Sequence, residues 1–119
     1  MTLFVPVGGK RTIFKQIVTS ATPVALISVD DRALSYTIES MSVRLKGTDT
    51  AFDFSIDNGT TNITIAGDET VGTAKFWKCT DHHPVLNEGD DLIFTAGGTT
   101  SMHVVVIALE GSTAIGARA

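Results

Sequence analysis

The side chains with the widest chemical reach in this chain are the run Asp81-His82-His83, with His103 further on. Together they suggest a zinc site or an acid–base pair. Zinc needs three or four ligands at fixed angles, and neighbouring residues on an extended segment point to opposite sides. At most one of His82 and His83 can then face a shared site. Pro84 follows directly and biases His83 toward extended backbone, which makes the run a polar loop entering a strand. No H-x-H, H-E-x-x-H or C-x-x-C spacing accompanies it, so neither a metal nor another cofactor is expected, and an enzyme of cupin or hydrolase type using His82, His83 and His103 is set aside. Cys79 has these histidines near it in sequence, but no nucleophile signature surrounds it, and it reads as a small core thiol. Glu88, Asp90 and Asp91 offer carboxylates for glycoside hydrolysis or calcium. The N-E-G-D-D order lacks the D-x-D-x-D-G pattern of a calcium loop and reads as a solvated turn. Gly8-Gly9-Lys10 reads as a hairpin turn, since no phosphate-cradling glycine motif stands between a strand and a helix. Trp77, Tyr36 and the six Phe could stack on sugars or bases, but most fall on strand parity and read as core. No catalytic residue is assigned. Two glycosylation sequons, at Asn58 and Asn62, carry no weight without a secretory route.

The elements that must position these groups are strands. Thr, Val and Ile make up 38 of the 119 residues, a composition that favours the pleated sheet. Phe52, Phe54 and Ile56 alternate with Asp53, Ser55 and Asp57. Asn58-Gly59 follows, and then Ile63 and Ile65 alternate with polar neighbours, so residues 51–66 read as a hairpin. Runs 3–7, 12–19, 24–29, 34–46, 73–79, 91–96 and 102–109 fit the same scheme, separated by Gly, Asp and Asn clusters. In the run 34–46 the apolar parity slips between Tyr36/Ile38 and Met41/Val43/Leu45, which predicts a bulge near Ser40. Residues 104–109 are apolar on both parities, as in a strand covered on both faces by the domain's own layers or by another subunit. The expected fold is an all-β, two-sheet antiparallel β-sandwich of eight or nine strands, jelly roll in topology. It forms one domain over residues 1–119, with short contact arms at 1–7 and 111–119.

A chain of this length buries about two-thirds of its surface on folding and needs no staple. One cysteine excludes an intrachain disulfide. No apolar run reaches membrane-spanning length and no leader pattern opens the chain, so neither a membrane nor a secretory route is expected. The net charge of −4, with 9 Lys and Arg, argues against nucleic acid as a partner. Charge is unevenly spread: residues 1–46 sum to +3 and residues 47–119 to −7. Either the molecule has opposed patches suited to neighbour contacts, or the segments interleave in the sandwich and cancel.

The segment HHPVLNEGDDLIFTAGGTTSMHVVVIALE, residues 82–110, joins an N-E-G-D turn, a strand, a Gly-Gly turn and a last strand ending V-I-A-L-E. It is similar to the closing hairpin of small jelly-roll proteins of tailed-phage virions, among them capsid decoration (cement) proteins and fibre or baseplate domains. The likeness covers the last third of the chain by pattern and the rest by size and strand count. It implies a non-enzymatic structural protein, made in the host cytoplasm, that sits on the capsid surface and reinforces contacts between coat subunits. Its implied partners are the major capsid protein and its own copies, as a homotrimer at three-fold positions, the other arrangement being one monomer on each capsomer. The candidate interface is Leu3, Phe4, Val5, Lys10 and Arg11 at one end and Arg118 at the other. The alternative is a fibre or baseplate domain that binds host surface glycans through exposed Trp77, Tyr36 and His82.

Overall fold

A computed structural model describes residues 10–30, 34–46, 51–70, 76–98 and 101–112. These hold nine strands: β1 (Lys10–Val18), β2 (Val24–Ser28), β3 (Leu34–Lys46), β4 (Phe52–Asp57), β5 (Asn62–Glu69), β6 (Phe76–Cys79), β7 (Val85–Leu86), β8 (Asp91–Ala96) and β9 (Ser101–Ser112). One sheet has the order β1-β9-β3-β6, with β7 also paired to β3, and the other has the order β2-β8-β4-β5. Every pairing is antiparallel. β6 pairs with Met41 to Arg44 and β7 with Tyr36 and Thr37, so the two are halves of one interrupted edge strand. Taken so, eight strands cross from sheet to sheet at every step except the β4–β5 hairpin. That is the jelly roll.

Alternation of side chains puts one wall of each sheet into a shared core. On β8, Leu92, Phe94 and Ala96 are buried, with Asp91, Ile93 and Thr95 facing outward. On β9, Met102, Val104, Val106 and Ala108 do the same. Phe52 and Phe54 of the four-stranded sheet, backed by Phe94, meet Trp77 of β6 across the gap. The Phe54 and Trp77 rings stack with centroids 5.6 Å apart, and Phe52 meets Trp77 edge-on at 5.1 Å. Such ring pairs add about 0.5–1.5 kcal/mol each beyond the area they bury.

The bulge foreseen near Ser40 lies between Ile38 and Ser40, where the register of β3 on β9 shifts. The extra residue is Glu39. Without it, Met41, Val43 and Leu45 would turn to solvent; with it, all three join Ile38 in the core. The β4–β5 hairpin closes as its sequence requires. The Asn58 side-chain oxygen accepts from the Thr60 and Thr61 amides at 2.9 and 2.7 Å, and Gly59 takes φ 91°.

Three expectations change. The β8–Gly97-Gly98–β9 segment is not a hairpin. β8 pairs with β2 and β4, and β9 with β1 and β3, because each strand buries its apolar wall from a different sheet. β7 was not anticipated, since two residues show no periodicity. β9 runs to Ser112, so Gly111 and Ser112 pair with Ser35 and Leu34 instead of starting an arm. The run 3–7 and the remainder of the C-terminal segment lie outside the described residues.

Candidate contact surfaces

Of the polar groups singled out by type, His83 and Asp90 make loop and turn hydrogen bonds, while His103 stands exposed on β9 and Asp91 opens β8. The 80–84 loop bridges the two halves of the broken edge strand at the level of the β3 bulge. There the Ile38 amide donates to the Pro84 carbonyl at 2.9 Å, and His83 Nδ1 lies 3.1 Å from the Ile38 carbonyl. A bulge leaves backbone groups off the ladder, and this loop supplies their partners. An open concavity of about 370 Å³ beside it is lined by Ile65, Asp81, His82, His83 and Pro84. Among the described residues no three His, Cys, Asp or Glu side chains converge as metal ligands would. In the N-E-G-D turn, Asp90 Oδ2 accepts from the Asn87 amide at 2.8 Å, Gly89 takes φ 90°, and the Gly89 amide donates to the Val29 carbonyl at 2.9 Å. Cys79 is half-buried against the core.

What remains is surface, and its two broad faces differ. On the outer face of the five-stranded sheet, register aligns three rows: Ile17–His103–Arg44–Phe76, Lys15–Val105–Ser42–Lys78, and Ile13–Ile107–Ser40. Five large apolar side chains are exposed among the described residues. Four of them, Ile13, Ile17, Phe76 and Val85, stand on this face, with Ile13 and Ile17 at 55% and 60%. Every described Lys and Arg lies in a strand of the same sheet: Lys10, Arg11, Lys15, Arg44, Lys46 and Lys78. The four-stranded sheet has no Lys or Arg in its strands. It carries Asp53, Asp57, Asp68, Glu69 and Asp91.

The sandwich is shared with a phage capsid. It is similar to a chain of the "acidic stable capsid structure of Helicobacter pylori bacteriophage KHP30", with a TM-score of 0.55 and 10% identity over 83% of this chain and 86% of that one. A pentameric capsid protein from metagenomic phage sequences aligns at TM-score 0.41 and 13% identity over 92% of this chain and 64% of its own length. No family model matches the chain, and no curated protein matches it by sequence. The likeness to the KHP30 capsid chain is one of fold, in keeping with the jelly-roll phage virion proteins that residues 82–110 resemble.

Of the candidate interface, Lys10 is exposed at the start of β1, and Arg11 reaches across β9 to the bulge, where its Nε donates to Glu39 Oε1 at 2.7 Å. This hydrogen bond and the cation hold the Glu39 carboxyl below its ordinary value, and Glu39 raises Arg11 in return. Leu3, Phe4, Val5 and Arg118 lie outside the described residues. The rings suspected of holding a glycan are placed otherwise. Trp77 is committed to the phenylalanine cluster. Tyr36 packs edge-on against Phe14 at 5.5 Å, and its hydroxyl donates to Glu110 Oε1 at 3.2 Å. Burial and the Glu110 charge push the Tyr36 hydroxyl above its ordinary value. The outward row positions Ile13, Ile17, Phe76 and Lys78 were missed. Their signal was the two-sided apolar run 104–109, whose inner wall is core and whose outer wall, Val105, Ile107 and Leu109, no layer of the described chain covers.

Proposed function

We propose that this chain is a non-enzymatic structural component of a phage virion, one that binds the capsid surface and reinforces contacts between coat subunits. The observation that carries this reading is the jelly-roll strand order, in a fold similar to that of a phage capsid chain, joined to two broad faces of opposite character. A domain built so acts by adhesion. A contact worth a few kcal/mol stabilises a shell when it recurs over many sites, since whatever binds the assembled form alone shifts its stability by mass action. The partners in this reading are the major capsid protein and copies of the chain itself, as a homotrimer. Leu3, Phe4, Val5, Lys10, Arg11 and Arg118 contribute at the two ends of the chain.

Quantitative mass spectrometry of purified particles tests the reading. Copies in the hundreds per particle are expected. A handful would move the chain to the tail, and absence from the particle overturns the proposal.

A further inference from the structure

We propose that the outer face of the five-stranded sheet docks against the outer face of the four-stranded sheet of a second copy, head to tail. The contact needs only the chain itself and stands apart from the virion reading.

Two features select this occupant. The first is the apolar content of the basic face. Ile13, Ile17 and Phe76 are exposed around Val105 and Ile107, and a shallow groove of about 340 Å³ opens between Lys15, Ile17, His103 and Val105. Contiguous apolar groups rimmed by charge mark contact sites on soluble domains. The second is charge. Lys15, Arg44 and Lys78 stand on this face, while Asp53, Asp57 and Asp91 stand at the outward positions of the other sheet. Asp57 and Asp91 are directly opposed across β4 and β8, a like-charge pairing that is unfavourable in a sheet, although Asp57 Oδ1 also accepts from the Gly59 amide at 2.8 Å. Two basic faces brought together would repel, as would two acidic ones. Basic on acidic is the pairing both faces favour, and each molecule offers both. Four strands at about 4.8 Å spacing and nine residues at about 3.4 Å give a face of roughly 500 Å² in projection, so the contact is modest and responds to salt and concentration. A head-to-tail contact closes into a ring or extends, according to its rotation.

The test is the molar mass of the purified full chain by sedimentation over a range of concentrations. At low salt the mass should exceed the 12.6 kDa of one chain and fall toward it at high salt. Lys15→Glu with Lys78→Glu, and separately Asp57→Lys with Asp91→Lys, should each weaken association by about tenfold or more while keeping the β circular-dichroism spectrum. Mixing the two variants should restore it, because the reversed faces complement one another. If either fails to fold, Ile17→Asp, at a position 60% exposed, gives the same loss without touching the core. A mass of one chain at every concentration in low salt overturns the proposal, and so does association that survives the Asp57/Asp91 reversal or an inert mixture.

Discussion

The two sheets of the sandwich share one core and part ways on their outer faces. The five-stranded sheet binds its surface side chains to one another. Arg11 bridges to Glu39 over β9, Tyr36 joins Glu110, and the 80–84 loop ties down the β3 bulge. The four-stranded sheet sets carboxylates side by side, Asp57 opposite Asp91, with no base in its strands. Inward positions in both are dictated by burial and are interchangeable in kind. Outward positions are free of that demand, and there the sheets diverge in sign. A difference that folding does not require points to contacts made after folding.

Removing a ring from the shared cluster should cost most and should strike both sheets together. Phe54→Ala empties a fully buried site between Phe52, Phe94 and Trp77, and a loss of about 3–5 kcal/mol is expected in urea unfolding. Should the two sheets unfold in separate transitions, the common core would not be their link. A smaller loss, about 1–2 kcal/mol, is expected for Gly89→Ala in the turn leading into β8. Nothing lies within 4 Å of the added carbon, so the cost there is conformational strain at φ 90° and not a clash.

Titration probes the five-stranded sheet more finely, since both of its shifted pairs lie there. Glu39 has a folded value below its unfolded one, so its contribution is present above the ordinary carboxylate range and is lost as pH falls through the folded value. Tyr36 is shifted upward, so its contribution is full below the unfolded tyrosine value and is lost as pH rises through the folded one. Arg11→Ala should flatten the acid limb of the stability curve, and Tyr36→Phe the alkaline limb. Either limb unchanged would detach that pair from the stability of its sheet. The smallest effect has the opposite sign. Asp91→Asn relieves the like charge of Asp57 and should stabilise the isolated chain by a few tenths of a kcal/mol in thermal melts, while weakening self-association.

Much of this architecture was legible in the sequence because period-two alternation reports directly on burial. Phe52, Phe54, Leu92, Phe94 and the parity slip at Ser40 each fell where the pattern put them. Connectivity was less legible. A Gly-Gly turn between two strands reads alike whether the chain folds back on one sheet or crosses to the other. The choice for β8 and β9 was made by long-range pairing with β2, β4, β1 and β3. β7 escaped notice because it is held by β3 and by the Ile38–Pro84 hydrogen bond more than by a preference of its own. The contact faces were half visible. Charge split along the chain as +3 and −7 showed a dipole in sequence. Only the strand order turned it into a dipole across the sandwich, by gathering β1, β3 and β6 on one side.

The interrupted β6–β7 border has a last consequence. Where Pro84 and its loop break the line of hydrogen-bonding groups, an incoming peptide cannot zip along the border, and the opposite border, β1, is studded with Lys10, Arg11 and Lys15. Both flanks of that sheet thus resist the sideways, fibril-like growth to which a chain so rich in Thr, Val and Ile is prone. In the association proposed above, copies therefore meet by their broad sides and not along these borders.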